Sequence, residues 1–272
     1  MKKIEENKPF LKWAGGKNKL INQYQKYFPK EYKTYHEPFL GGGSIFFYIN
    51  PEKAIISDIN EDLINVYIIV KDYLEELIIL LKKHKKNHQK EYYYKIRSTK
   101  YEDKIQRAAR FIYLNKTYFN GLYRENKNGE FNVPIGNYKD PNICAEELLR
   151  KCSNILNNKD ITIKCQRFNE CKKDIGDKDF VYFDPPYFPL NKTSNFTSYT
   201  KDKFGIKSQE LLYELCNYLK ERKVKVMLSN SNTEYIKNMY KDYNITEIKV
   251  NRTINSKTTG RTQITELLIT SY

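Results

Sequence analysis

The tetrapeptide Asp184-Pro185-Pro186-Tyr187, set directly behind the apolar run Phe180–Phe183, constrains the fold more than any other stretch of this chain. An unbroken apolar run of strand-forming residues reads as a strand buried on both faces. The prolines stop it, because neither can donate to a ladder and each fixes its own φ at about −65°. A carboxylate is thereby held at the carboxyl end of a buried strand, where open α/β sheets hold their ligands. Alone, the same residues are equally an Asx-Pro-Pro turn, so their meaning rests on their surroundings.

Those surroundings repeat the α/β theme. Thr34–Pro38 reads as a short strand running into the turn Gly41-Gly42-Gly43, Ser44–Tyr48 as a short helix, and Lys53–Ile56 as a second strand ending at Ser57-Asp58. Strand, glycine turn, helix, strand and acid form the opening of a nucleotide-binding unit. There the glycines let the backbone approach a ligand, the following helix offers N–H groups, and Asp58 stands where an acid accepts from ribose hydroxyls. It is not a dinucleotide fingerprint, which would need glycine at Phe46. Taken singly, a glycine turn and an acid are more often structural. Phe10–Lys17 (FLKWAGGK) resembles a Walker A loop only superficially, with Leu11 at the first glycine position and Asn18 in place of Ser or Thr. A lysine on such a turn can instead meet a carboxylate, with Trp13 packed beside it, although a lone Trp is more often a core residue.

Between these segments the chain changes character. Glu61–Lys83 and Ile105–Asn115 read as helices, and Asn128-Gly129 as a hairpin turn. Residues 82–127 hold 14 Lys or Arg against 4 Asp or Glu, much of the chain's formal net charge of +15. A codon bias would spread charge evenly, so this concentration points to a polyanionic partner, nucleic acid above all. Alternation then resumes: strand Phe180–Phe183, helix Gln209–Arg222 capped by Ser208, strand Val224–Leu228, and closing strands Ile245–Val250 and Gln263–Thr270 around a loop with Arg252, Lys257 and Arg261. The expected architecture is an α/β domain from residues 1–60 and 141–272, interrupted by a basic helical module at 61–140.

Other classes are disfavoured. The stretch Leu63–Leu81 is broken by Lys71, Asp72, Glu75 and Glu76 and is too polar to span a membrane, and the first ten residues lack the apolar core of a signal peptide. The cysteines, Cys144, Cys152, Cys165, Cys171 and Cys216, are odd in number and form no C-x-x-C pair. They read as reduced, buried thiols of a cytoplasmic protein without a metal site.

Taken in order and spacing, the FxxWxGGK segment, the glycine turn and DPPY resemble the Dam-type DNA adenine methyltransferases of the α group. Tyr118–Tyr138 resembles the DNA-reading hairpin of that family, Asn191–Tyr199 its loop after DPPY, and the segment ending at Ile269 its closing strand. The resemblance covers nearly the whole chain, and it implies that residues 1–60 and 141–272 form a Rossmann-like catalytic domain and 61–140 a helical target-recognition domain. It implies transfer of a methyl group from S-adenosyl-L-methionine to N6 of an adenine flipped out of double-stranded DNA, within GATC or a related site. It implies cofactor roles for Trp13, Lys17, Glu37, Phe39, Gly41, Gly43, Asp58, Phe168 and Asp184, and catalytic roles for Asp184, Pro185, Pro186 and Tyr187. DNA contacts are expected from Arg97, Asn120, Leu122, Arg124, Asn126, Asn128, Asn132, Pro134, Asn137 and Tyr138. The chain departs from the pattern at Asn128 and Asn137, where GATC readers often carry arginine, the commonest reader of guanine.

The chemistry suits such residues. An adenine amino group is a poor nucleophile because its lone pair is delocalised into the ring. Two acceptors, the Asp184 carboxylate and a proline carbonyl, favour a tetrahedral nitrogen and stabilise the charge that develops on it. Tyr187 offers a ring on which an extruded base can stack. Methylation of cytosine N4 or of a glutamine amide is disfavoured, because those enzymes more often carry Ser or Asn at the position of Asp184. A DNA-binding regulator on an inactive scaffold would not need Lys17, Asp58 and DPPY together. A cognate restriction endonuclease acting independently is the further partner to consider.

Overall fold

The computed structural model describes residues 7–119, 124, 126, 131–189, 204–250 and 264–272. Asn120, Leu122, Asn128-Gly129, Asn191–Tyr199, Arg252, Lys257 and Arg261 lie outside the described residues. The strands are β1 (Tyr35–Glu37), β2 (Lys53–Asp58), β3 (Asp160–Cys165), β4 (Phe180–Phe183), β5 (Lys225–Ser231), β6 (Asn244–Val250) and β7 (Ile264–Thr270). They form one seven-stranded sheet in the order β3-β2-β1-β4-β5-β7-β6. The fold is mixed α/β, as the sequence predicts.

Two compact units divide the chain: Met1–Asn18 with Leu40–Gln166, and Lys19–Phe39 with Arg167–Tyr272. In the first, β2 and β3 pair in parallel from Lys53↔Asp160 to Asp58↔Cys165. It also holds helices α2 (Ser44–Ile49), α3 (Glu61–Asp72), α4 (Leu74–Lys86), α5 (Lys90–Ser98), α6 (Lys104–Thr117) and α7 (Glu146–Asn157), following α1 (Ile21–Tyr24) of the second unit. The Asn60 side chain caps α3 by accepting from Leu63 N–H, and Asp103 caps α6 by accepting from Gln106 N–H. Glu61–Lys83, read from the sequence as one helix, is two. The chain leaves helical geometry at Tyr73 (φ −135°, ψ 43°), and α4 then buries Leu77, Ile78 and Leu81. Neither glycine nor proline marks this break, so tertiary packing sets it.

In the second unit β1, β4 and β5 are parallel, whereas β7 pairs antiparallel with β5 and β6. Every residue of β4 is buried, as its apolar run predicts. Helices α8 (Ile206–Glu221) and α9 (Glu234–Met239) complete the unit, and Leu212, Leu215 and Leu219 of α8 pack into a core with Val181, Phe183, Val226 and Leu228. The α8 helix starts earlier than its sequence suggests: extended Gly205 is its N-cap, and Ser208 lies inside its first turn. Likewise β5 runs on to Ser231 instead of stopping at Leu228. Cysteine burial is also mixed, since Cys152, Cys171 and Cys216 are buried but Cys144 is half-buried and Cys165 exposed.

Candidate active site

In the second unit, the carboxyl ends of the parallel neighbours β1 and β4 carry Glu37 and Asp184. The chain leaves these strands towards opposite edges of the sheet, which makes their ends a topological switch point. The register Phe183↔Leu228 brings the next residues, Asp184 and Ser229, side by side. Ser229 Oγ donates to Asp184 Oδ1 at 2.7 Å and lies 3.0 Å from Tyr182 Oη. Ser229 is fully buried, so this partner fixes the direction of the half-buried carboxylate from behind.

The turn after Asp184 is held by a pair of buried amides. Gln209 Nε2 donates to the Pro186 carbonyl at 3.1 Å, and Asn230 Nδ2 donates to Gln209 Oε1 at 3.0 Å. Asn230 Oδ1 accepts from Phe188 N–H at 3.1 Å and from Ser231 N–H at 2.8 Å. Tyr187 Oη donates to Glu266 Oε2 at 2.9 Å, and Tyr24 donates to the other oxygen of the same carboxylate. Burial, then the nearby Asp184 carboxylate, pushes the Tyr187 phenol well above its ordinary value, so it stays a donor.

Aromatic rings gather in this unit. Phe39 and Phe168 stack at 5.2 Å with 22° between their planes, and Phe204 meets each at 5.6 Å. Glu37, almost fully buried, accepts from Tyr35 Oη at 2.6 Å.

The first unit holds the glycine turn. Gly41 (φ +49°) could not carry a side chain: a Cβ would come within 2.7 Å of Trp13 Cδ1. Trp13 therefore lies against the turn, and it also stacks on Phe111 at 6.3 Å. Asp58 Oδ2 accepts from Gly41 N–H and Oδ1 from Asn60 N–H, each at 3.0 Å. Burial raises the Asp58 carboxyl, and these backbone donors oppose the rise. Gly43 N–H donates to the Leu40 carbonyl at 2.8 Å. The Gly41 N–H is thus taken by Asp58 and the Gly43 N–H by the turn itself, and what the glycines offer is close approach. Lys17 is buried, and its ammonium donates to the Gly15 carbonyl at 2.8 Å.

The same unit holds the described part of the hairpin. Tyr118 and Ile135 form an antiparallel bridge, and Phe119 N–H donates to the Pro134 carbonyl at 3.0 Å. Arg124 Nε donates to Asn132 Oδ1 at 2.8 Å, so two of the expected DNA readers hold each other. Arg97 donates to the Val133 carbonyl at 3.2 Å and lies over the Tyr94 ring, bracing the hairpin stem. Pro134, Asn137 and Tyr138 are exposed, and Asn126 is half-buried.

With the geometry in view, comparison places the chain. A family model described as "D12 class N6 adenine-specific DNA methyltransferase" matches residues 13–254. The chain belongs to this family. Its reaction is therefore N6 methylation of adenine in DNA. Type II methyltransferase M1.LlaDCHI of Lactococcus lactis subsp. cremoris is 44% identical over 282 residues, covering 100% of this chain and 99% of the relative. Type II methyltransferase M.MjaIII of Methanocaldococcus jannaschii is 44% identical over 290 residues, covering 98% and 100%. The DNA adenine methylase of Escherichia coli K12 is 36% identical over 269 residues, covering 97% and 95%.

For this methyltransferase, sequence reasoning missed the layer behind DPPY: Ser229, Gln209, Asn230, Tyr24 and Glu266. It also missed Phe119, an exposed aromatic residue at the start of the hairpin stem. The polar run Ser229–Asn232 at the end of an apolar strand was the available signal. Among the described residues no cluster of His, Cys, Asp and Glu could hold a metal, and no helix is long and apolar enough to cross a membrane.

Proposed function

We propose that this chain transfers the methyl group of S-adenosyl-L-methionine to N6 of an adenine flipped out of double-stranded DNA, within GATC or a related short site. The observation that carries this reading is the carboxylate of Asp184, fixed by Ser229 at the end of β4 and followed by a turn whose Pro186 carbonyl is already engaged. S-adenosyl-L-methionine supplies an electrophilic methyl group on a sulfonium. The residues suit such a ligand: a glycine turn that no Cβ could enter, an acid at the end of β2, and a stacked phenylalanine pair for an adenine ring. Trp13, Lys17, Glu37, Phe39, Gly41, Gly43, Asp58 and Phe168 are the proposed cofactor residues.

On the chain's side, Asp184 accepts one N–H of the target amino group. With the Pro186 carbonyl held by Gln209, the Pro185 carbonyl is assigned the second N–H. Both acceptors favour the tetrahedral nitrogen and its developing positive charge. Tyr187 supplies the stacking face, which offsets the few kcal/mol that flipping costs. We assign DNA recognition to residues 61–140 and catalysis to 1–60 and 141–272. Arg97, Asn120, Leu122, Arg124, Asn126, Asn128, Asn132, Pro134, Asn137 and Tyr138 are the proposed DNA residues. Arg97 and the Arg124–Asn132 pair shape the hairpin as well as facing DNA. We place the enzyme in the cytoplasm. The type II names of two relatives favour a partner endonuclease that reads the same site.

The test is methyl transfer from labelled S-adenosyl-L-methionine to duplex DNA by wild-type and Asp184→Ala protein, with cofactor affinity measured separately. Loss of the acceptor should remove at least about 3 kcal/mol of transition-state binding, about two orders of magnitude in rate. Near-normal turnover of folded Asp184→Ala would sink the assignment.

A further inference from the structure

Glu266 sits on β7, which is paired on both sides, opposite Ser231 of β5 and Ile248 of β6. Its backbone is therefore fixed, and its side chain is almost fully buried. One carboxylate oxygen accepts from Tyr187 at 2.9 Å, and the other accepts from Tyr24. Tyr24 is itself immobile: it is completely buried and meets the Tyr182 ring edge-on at 6.4 Å. Burial is the main reason that the Tyr24 and Tyr187 phenols titrate well above their ordinary value, so both remain donors at neutral pH. The half-buried Tyr187 ring thus hangs from a carboxylate anchored at its far oxygen.

A ring that merely filled space would need no such anchor. Burying a carboxylate is unfavourable unless hydrogen bonds compensate it, and phenylalanine could fill the same volume without it. At 2.9 Å the Tyr187–Glu266 bond is not a short one, but a hydroxyl tied to a carboxylate that is itself held in place restricts rotation of the ring about its Cα–Cβ bond.

We propose that Glu266 is a positioning residue that sets the plane of Tyr187 against the flipped adenine. The inference rests on the proposed stacking role of Tyr187. Glu266 touches neither the reacting nitrogen nor the methyl donor; it acts through the Tyr187 hydroxyl, with Tyr24 as the rigid post.

The experiment uses the full chain, a duplex carrying the mapped site for turnover, and the same duplex with 2-aminopurine, which lacks the 6-amino group, in place of the target adenine for fluorescence. Wild type, Tyr187→Phe, Glu266→Gln, Tyr24→Phe and the Tyr187→Phe/Glu266→Gln double variant are compared in kcat, cofactor affinity and 2-aminopurine fluorescence. Glutamine keeps the shape but loses the charge, and should lower kcat about tenfold with cofactor affinity unchanged. The flipped base should also become brighter, because a misaligned ring quenches it less. Tyr187→Phe should lose at least as much as Glu266→Gln, because it also removes the hydroxyl from Ser229, and the double variant should be no worse than Tyr187→Phe, because the Glu266 bond is already gone there. Tyr24→Phe, which leaves the bond to Tyr187 in place, should show a smaller change of the same sign and serves if Glu266→Gln does not fold. Wild-type kcat and fluorescence in folded Glu266→Gln would overturn the proposal, as would multiplicative losses in the double variant. Wild type that neither methylates adenine nor changes 2-aminopurine fluorescence would overturn the base-pocket reading itself.

Discussion

Asn115, near the end of α6, offers a direct test of how the Phe10–Lys17 segment is held. Its carboxamide is almost fully buried and clamps the backbone of Lys12 at both groups: Oδ1 accepts from Lys12 N–H at 2.9 Å and Nδ2 donates to the Lys12 carbonyl at 2.7 Å. Nδ2 also donates to Tyr118 Oη at 3.1 Å. Asn115→Ala strands these partners. Each bond is worth about 1 kcal/mol, and each group left dry costs about 1–3 kcal/mol, so the loss should be about 2–4 kcal/mol. In a chain of this size that lowers Tm by roughly 5–10 °C. Asn115→Asp keeps the acceptor for Lys12 N–H but sets a carboxylate against the Lys12 carbonyl, so it should be no more stable than the alanine variant. Calorimetry and urea unfolding measure the stability, and titration calorimetry well below Tm measures cofactor affinity. If Trp13 and Lys17 hold the cofactor, affinity should fall about tenfold, an effect of about 1.4 kcal/mol. Wild-type Tm in Asn115→Ala, or an Asn115→Asp protein as stable as wild type, would refute the clamp. Reduced stability with wild-type affinity would refute the cofactor role of the segment.

Ser229→Ala removes a charge-assisted bond to Asp184 worth about 1.5–3 kcal/mol, so single-turnover methylation should slow roughly 10- to 100-fold with cofactor affinity nearly unchanged. His84, almost fully buried and stacked on Tyr113 at 4.9 Å, has its imidazole pushed down to about 4, mainly by burial. The folded state therefore resists protonation that the unfolded chain accepts from about pH 6.5 downward. Stability is fully present above that pH and is lost as pH falls towards the folded value, by up to about 3 kcal/mol. Urea unfolding at several pH values should show this slope flattened in His84→Phe. Gly43 sits at φ +70°, where a Cβ would lie 2.7 Å from Tyr67 Oη. Gly43→Ala should cost about 1–2 kcal/mol for the left-handed backbone plus the displaced Tyr67 bond to the Gly41 carbonyl. Adding Tyr67→Phe should then cost less than it does alone, as read by thermal unfolding.

What the sequence made legible follows from which faces are buried. Strand β4 was readable because it lies inside the sheet, between β1 and β5, with both of its faces buried, leaving a pure apolar run before Asp184. Strand β3, DITIKC, was not, because it lies at the sheet edge and buries chiefly Ile161. Helix α7 buries Leu149, Cys152, Ser153 and Leu156 at i, i+3, i+4 and i+7, so its period is legible even though one member of the buried face is polar. Helix α5 buries only Tyr93 and Ile96. The same physics divides the site. DPPY and the glycine turn announce themselves through backbone constraints written in proline and glycine. Ser229, Asn230 and Gln209 look like a strand end and a helix surface, and only the fold shows that they are buried, that Asn230 bonds Gln209 and that Ser229 bonds Asp184. Glu266 reads as an outward polar residue in an apolar strand until Tyr24 and Tyr187 are seen upon it.

The central claim is that Asp184 and its turn methylate adenine in one short DNA context. Single-molecule sequencing of DNA from a host without its own methyltransferases, expressing either the wild-type chain or Asp184→Ala, tests it most directly. The account predicts N6-methyladenine in one context, GATC or a close relative, with wild type and none with the variant. Equal modification by folded Asp184→Ala, or no N6-methyladenine from soluble wild type, would contradict it.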